Sequence, residues 1–432
     1  MNYAETINYL FTRLPMFSRI GAAALKPDLT NTIRLCEKLG NPHKEIKTIH
    51  VAGTNGKGSV SHMLASIFQK AGYKTGLYTS PHLYDFRERI KINGEFISED
   101  AVVSFTNEIK PYMEEIDPSF FEITVAMAFD YFKKEKTEIA IIETGLGGRL
   151  DSTNIINPEI AIITNIGYDH VQLLGNTLDK IAYEKAGIIK ENTPVVIGES
   201  KLETKSVFIG IAQEKKAPLQ FSEDAFEITS HQSLNNTLQV IVKDKNIELE
   251  TSYTLDLVGL YQKQNLLTVL TTCKELNKKG WSLPEASIKV GLENVKSTTG
   301  FQGRWEIVAE QPKIVLDVAH NEDGIRSVLL QLKETQFNNL HIVTGMVKDK
   351  DIDTALKLLP KDASYYFTNA SIPRALPCAE LHEIAAKEGL NGNCYLNVDA
   401  AISAAKLKAN KDDLIVVCGS VFLVGEVNRK AL

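Results

Sequence analysis

Thr48-Ile49-His50-Val51-Ala52-Gly53-Thr54-Asn55-Gly56-Lys57-Gly58-Ser59 is the stretch from which the rest of the chain is read. Residues 48–52 have the short, largely apolar character of a buried strand. Residues 59–71 are helix-like and stop at Gly72. A glycine-rich turn between a strand and a helix is the setting of a phosphate loop. Glycines let successive backbone N–H groups turn inward around phosphate oxygens. The helix behind adds unpaired N–H groups and about half a positive charge at its start. Lys57 supplies a full charge for the β and γ phosphates. The plain alternative, a glycine-rich turn with one exposed lysine, does not account for the flanking strand and helix. The loop departs from G-x-x-x-x-G-K-[ST]. It is shorter, and Gly58 stands where a Mg²⁺-binding hydroxyl is usual, so the metal must find ligands elsewhere. The chain has no Asn-Lys-x-Asp sequence of the kind that reads guanine, so ATP fits better than GTP.

Outward from this loop, strand and helix patterns alternate. Residues 73–78, 138–144, 159–164 and 194–198 read as strands, with helices predicted over 121–134 and 178–189; two further helices, at 4–14 and 28–39, precede the loop. Such alternation implies parallel βαβ units. Residues 226–230, 238–242 and 247–251 read instead as antiparallel strands, turning at Asn235-Asn236 and Asp244-Lys245-Asn246. Helices follow at 261–279 and 284–295. The polar stretch 296–303 reads as a linker. Beyond it βα alternation resumes, with strands at 314–317, 340–344, 364–367, 394–396 and 414–418. The expected fold class is α/β: a P-loop ATPase domain with a parallel sheet over 1–296, and a smaller Rossmann-like α/β domain over 297–432.

A chain of 432 residues with 44% hydrophobic and 24% charged residues has room for two full-sized cores. A net charge of -6 argues against a nucleic-acid partner, which calls for a basic face. The five cysteines are scattered, odd in number and without C-x-x-C spacing, so free thiols in a reducing compartment are expected. No run nears the roughly 20 apolar residues that span a bilayer, and the first residues lack a signal-peptide core. A cytoplasmic protein, with no membrane partner, is expected.

Ile139-Ala140-Ile141-Ile142-Glu143 is an apolar strand that carries a carboxylate to the C-terminal edge of the sheet, where open α/β sheets bind ligands. Two readings of Glu143 stand: a Mg²⁺ ligand, or one half of an ion pair with a nearby arginine such as Arg149. Lys185 by itself reads as a solvated helix lysine, and His170 as a loop histidine. Glu122 at a helix start reads as a favourable charge on the helix dipole, with orientation of a metal-bound water as the alternative. No Ser-His-Asp or Cys-His arrangement suggests a protein nucleophile.

Gly53-Thr54-Asn55-Gly56-Lys57-Gly58-Ser59 resembles the signature of the folylpolyglutamate synthase/dihydrofolate synthase family, a branch of the Mur ligase superfamily. Thr79-Ser80-Pro81-His82-Leu83, the run from Glu143 to Asn154, Asp169-His170 and Glu184-Lys185-Ala186-Gly187-Ile188 agree with it in order. So do Gly303-Arg304, Asp317-Val318-Ala319-His320-Asn321 and Gly419-Ser420. The resemblance implies a ligase that couples ATP hydrolysis to amide formation with L-glutamate, on dihydropteroate, on the glutamate tail of reduced folates, or on both. It implies two Mg²⁺ ions, the first held by Ser80 and Glu143, the second touched by Glu143 and His170. It also implies a carbamylated Lys185 and leaves room for a monovalent cation. ATP would contact Thr54, Asn55, Gly56, Lys57, Gly58, Ser59, Gln262, Asn265, Arg304 and Asp317, with His320 near the γ phosphate. Thr79, Pro81, His82, Arg87, Arg89 and Asp151 would form the pterin side, although Arg87 and Arg89 equally suit a solvated edge. A monomer is expected. The competing readings are another Mur-type amide ligase with a different carboxylate acceptor, and a non-catalytic ATP-dependent switch. A peptidoglycan-type ligase would carry an added N-terminal domain, for which the 52 residues before Gly53 are too few.

Overall fold

Strand β1 (Thr48–Ala52) is buried along its whole length, as is β5 (Ile139–Glu143), which pairs parallel beside it. Near-continuous apolar strands of this kind need cover on both faces. Six further strands complete this sheet: β2 (Thr75–Tyr78), β3 (Ile90–Ile92), β4 (Glu95–Phe96), β6 (Ile160–Ile163), β7 (Val195–Ile197) and β8 (Leu219–Phe221). Their order is β4-β3-β2-β5-β1-β6-β7-β8. One face packs on the Lys57–Lys70 and Gln262–Lys278 helices through Ile49, Val51, Ile141 and Leu64. The other packs on the Phe120–Lys134 helix through Tyr78, Ile142 and Phe129. The Lys57–Lys70 helix lies so close to the Glu285–Glu293 helix that a Cβ at Gly291 would meet Ile67 Cα at 2.7 Å. The computed structural model describes residues 1–432 apart from 25, 27, 235, 349 and 350, and apart from the side chains of 18, 22 and 23.

A three-stranded antiparallel sheet follows, β9 (Phe226–Leu234), β10 (Thr237–Asp244) and β11 (Leu249–Leu255). Its expected first turn includes Asn235, which lies outside the described residues. The last sheet contains β12 (Glu306–Glu310), β13 (Lys313–Leu316), β14 (Leu340–Thr344), β15 (Ser364–Phe367), β16 (Gly392–Cys394) and β17 (Leu414–Cys418). Its order is β12-β13-β17-β14-β15-β16.

The α/β class and its parallel-containing sheets hold. Each large sheet also has antiparallel members that the sequence reading did not include, β3 and β4 in the first and β12 in the second. They are short, and two- to five-residue strands have too little alternation to register as a period. The Leu202–Glu214 helix was missed as well. Its buried stripe is only Thr204, Phe208 and Ala212, so one of three positions is polar. Residues 296–299, expected as linker, end a short Val295–Thr299 helix closed by Gly300 at φ 66°.

The expectation of five free thiols is corrected. Cys378, at the start of the Cys378–Lys387 helix, is disulfide-bonded to Cys394 at the end of β16. The two are 16 positions apart, and only the return of the chain to the sheet edge brings their Cα atoms to 5.8 Å. No helix among the described residues is long and apolar enough to cross a membrane.

Candidate functional site

The loop after β1 is built from its neighbours. Gly56 caps the Lys57–Lys70 helix in a left-handed conformation (φ 85°), and a side chain there would strike Asn265 Oδ1 at 2.4 Å. The backbone N–H of Thr54 donates to Asn165 O (3.0 Å) and that of Asn55 to Asn165 Oδ1 (2.8 Å). Thr164 Oγ1 donates to Asn55 O (2.5 Å). Lys57 Nζ folds back to the carbonyls of Gly53 (2.9 Å) and Thr54 (3.1 Å), and Lys185 Nζ reaches the same Gly53 carbonyl at 2.9 Å. Lys185 is therefore buried against the loop, and its solvated-helix reading is corrected: the helix turns this face inward. Gln262 Nε2 donates to Ser59 Oγ (3.1 Å) and Gln262 Oε1 accepts from Asn265 Nδ2 (2.7 Å), so these three expected nucleotide residues form one buried group.

Glu143 ends β5 beside this loop. A Cβ at Gly58 would lie 4.0 Å from Glu143 Oε2, and Ser80 N approaches the same oxygen at 3.4 Å. Burial pushes the carboxyl up to about 7, against the pull of the Lys57 and Arg304 cations. The ion-pair reading with Arg149 fails, because Arg149 turns outward to Glu184 at 2.9 Å. A buried carboxylate next to a side-chain-free Gly58 suits a hard divalent cation, which takes one or two protein carboxylates alongside phosphate and water. Ser80 and Glu143 thus come together. His170 sits in a left-handed conformation (φ 49°), with Nε2 3.8 Å from Asp169 Oδ1 and its ring edge-on to Phe17. Among the described residues no cluster of three or more His, Cys, Asp or Glu has metal-ligating geometry.

From the second large sheet, Asp317 accepts from Tyr261 Oη (2.7 Å), Trp305 N (2.8 Å) and Ala319 N (2.9 Å). These bonds lock the turn after β13. His320 Nδ1 lies 2.9 Å from Val318 O, and Nε2 lies 3.4 Å from Asp169 Oδ2. The Arg304 guanidinium stands over the Phe301 ring, which itself stacks on His62.

Ser80, whose N–H approaches Glu143, also lines a cavity of about 890 Å³. Its walls combine distant segments: Phe11 and Phe17, Ser80 to Leu83, Phe120 to Glu122, Gly145 to Gly148, and from the second sheet Ile372 to Arg374 and Ser420 to Phe422. His170 and His320 also face it. The two arginines separate. Arg89 is buried in the wall, donating from Nε to His82 Nδ1 at 2.8 Å, and that geometry together with burial pulls the His82 imidazole down to about 3. Arg87 is ion-paired with Asp85 (2.7 Å) and Glu99 (3.4 Å). Thr79 contributes a backbone bond to Arg89 O, and Pro81 is exposed. Glu122 closes a capping box with Ser119 and also lines the cavity; burial raises its carboxyl.

Asp151 lines the wall with its acceptor capacity filled. One oxygen takes the N–H groups of Gly145 and Leu146, the other the N–H and hydroxyl of Thr153. Asp151→Ala would leave three backbone N–H donors without this acceptor in a part-buried loop, while the Thr153 hydroxyl keeps His50 Nε2 at 2.8 Å. It is expected to cost about 2–3 kcal/mol of stability, read by urea denaturation. A change below about 0.5 kcal/mol would show that water replaces the carboxylate.

Sequence reading missed Thr164 and Asn165 as loop partners. Both follow β6, and the C-terminal end of a central parallel strand was the available signal. It could not have found Phe17 or Arg374, whose Nη1 donates to Phe17 O at 2.7 Å across 357 positions.

Residues 51–273 match the Mur ligase middle domain, and residues 303–421 match the Mur ligase, glutamate ligase domain. A dihydrofolate synthase/folylpolyglutamate synthase of Bacillus subtilis is 35% identical over 416 residues, spanning 94% of this chain and 95% of that relative. A folylpolyglutamate synthase of Lacticaseibacillus casei is 32% identical over 446 residues, spanning 100% and 99%. The solved structure of E. coli FolC in complex with DHPP and ADP superposes with a TM-score of 0.86 at 30% identity, covering 100% of this chain and 98% of that one. The bifunctional folylpolyglutamate synthase/dihydrofolate synthase of Yersinia pestis, complexed with AMPPNP and Mn ion, gives a TM-score of 0.84 at 29% identity, covering 100% and 98%.

Proposed function

The chain belongs to the folylpolyglutamate synthase/dihydrofolate synthase family of Mur ligases, and from that premise we propose that it is an ATP-dependent ligase joining L-glutamate to dihydropteroate and to the glutamate tail of reduced folates. The observation that supports this reading best is the cavity of about 890 Å³ lined from both halves of the chain, whose Ser80 also approaches the Glu143 carboxylate beside Gly58 of the phosphate loop.

A carboxylate is a poor electrophile because its charge repels an attacking amine. Transfer of the γ-phosphoryl group converts it to an acyl phosphate, and attack by the glutamate amine then releases phosphate and leaves an amide. Positioning and charge stabilisation do most of the catalytic work in such a transfer. In this reading Lys57 swings from its own loop carbonyls to the β and γ phosphates, and Arg304 approaches from the second sheet. Glu143 and Ser80 would hold the divalent ion, and Glu143 and His170 would meet a second one. When bound, the ion offsets negative charge on the transferring phosphoryl group. Lys185, buried at the Gly53 carbonyl, is the residue that CO₂ would carbamylate, turning a buried cation into an anion beside the metal. Gln262 and Asn265 hold the nucleotide end of the site, and His320 stands where the γ phosphate meets the second sheet. On the acceptor side, Phe120, Phe121, His82 and Arg89 give a flat apolar slot with one buried cation, suited to a conjugated bicyclic ring with polar edges. Arg87, tied to Asp85 and Glu99, is outside that slot in this reading.

The test is ADP release by the purified protein with MgATP and L-glutamate, run with dihydropteroate and separately with tetrahydrofolate. Glutamate-dependent release with both is the expected result. Release with one alone would narrow the acceptor to that branch. Release indifferent to glutamate and pterin, in a protein that binds ATP, would replace the ligase reading with an ATP-dependent switch.

A further inference from the structure

Asn321 precedes the Glu322–Lys333 helix in the second large sheet, 266 positions from Asn55 of the phosphate loop, and the two side chains meet as a reciprocal amide pair. Asn55 Nδ2 donates to Asn321 Oδ1 at 3.2 Å, and Asn321 Nδ2 donates to Asn55 Oδ1 at 3.1 Å. Asn321 Oδ1 also accepts from Gly324 N (2.9 Å), capping its helix, and Nδ2 also donates to Asp169 Oδ2 (3.3 Å). The amide is buried and uses both donors and both acceptor sites. Asp169 Oδ2 lies within reach of His320 Nε2 as well (3.4 Å), and the Asn55 backbone is held by Asn165. The position of the phosphate loop is thereby tied to that of His320 through a rigid helix cap.

We infer that Asn321 is a positioning residue: its amide pair with Asn55 docks the second sheet's helix cap on the phosphate loop and sets His320 and Arg304 at the distance phosphoryl transfer needs. This rests on the reading of residues 53–59 as an ATP site. A bond between the two sheets acts on alignment in the transition state more than on nucleotide affinity, because the loop holds phosphates without it.

Asn321→Asp separates positioning from folding. Aspartate caps a helix as well as asparagine does, so the Gly324 bond survives. The two donations become repulsions against Asn55 Oδ1 and the Asp169 carboxylate. The expected result is a kcat loss of about tenfold or more with a nucleotide Kd, measured directly with AMPPNP, changed less than about threefold. Small-angle scattering without nucleotide should show a larger radius of gyration than the wild type. Asn321→Ser, which also caps, carries the same test should the aspartate variant unfold. In a cycle with Asn55→Ala, its kcat effect should be non-additive by about tenfold. Wild-type kcat together with an unchanged radius of gyration would overturn the inference, as would strict additivity. If the wild-type protein turns over no folate, the ligase reading fails, and the scattering comparison still decides whether Asn321 docks the two sheets.

Discussion

Lys57→Ala is expected to lower ligase turnover by roughly 10³-fold, the scale of losing a preorganised charge at a transferring group, while leaving thermal unfolding cooperative and its midpoint unchanged or slightly raised. The two halves have separate causes. Lys57 is the first residue of its helix, where its cation opposes the positive end of the helix dipole. Alanine is the better helix former and removes that opposition. Two of the bonds Lys57 makes are to carbonyls of its own loop, and that loop is also tied by Thr164, Asn165 and Lys185. Within the fold the charge is unfavourable at the helix start and favourable towards the buried Glu143 carboxyl, so its two effects oppose each other. ADP release with saturating acceptor, alongside a melting curve, reads both. Turnover above about a tenth of the wild type would remove Lys57 from the phosphate site. Loss of cooperative unfolding would show that it holds the loop together.

Glu143→Gln is expected to move stability and activity in opposite directions. In the metal-free protein burial raises the carboxyl from 4.5 to about 7. A carboxyl with a higher pKa folded than unfolded binds more protons in the native state, so wild-type stability falls as pH rises through that window. The penalty is complete above about pH 7. Glutamine, of the same shape and never charged, escapes it. In EDTA the melting midpoint of the variant should match the wild type near pH 4.5 and exceed it by about 2 °C at pH 8. Turnover should fall by roughly 10²-fold or more, because a neutral amide oxygen is a weak ligand for a hard dication. A variant that melts below the wild type at pH 8 would mean the carboxylate is held by partners that outweigh its burial. A variant that keeps its turnover would move the metal away from β5.

The geometry of the glycine-rich turn was largely legible because its information is local. Gly53 to Ser59 is one continuous turn, and a strand before it and a helix behind it fix where its N–H groups point. Glu143 was legible for a related reason, since an apolar strand ending in a carboxylate places that charge at the sheet's edge. The acceptor side was much less legible. Arg87 and Arg89 are two positions apart and looked alike. One is bound outward by Asp85 and Glu99, the other lies buried beside His82, and that choice is made by residues brought in by folding. Asp151, expected on the pterin side, has its oxygens filled by the 145–153 loop.

By itself, then, the chain's order of residues determined an α/β architecture, a glycine-rich turn at Gly53–Ser59 between a strand and a helix, a carboxylate at the strand end at Glu143 and a family resemblance spread along its length. These follow from patterns that repeat or close within one strand–turn–helix unit. Only the tertiary structure decided the Cys378–Cys394 bond, the antiparallel edge strands, the burial of Lys185, the Asn55–Asn321 pair and the cavity that joins Phe17 to Arg374. The edge strands are too short to register as a period, the disulfide waits on the return of the chain to the sheet edge, and the other three join residues more than a hundred positions apart, which leaves no period in the sequence of either partner.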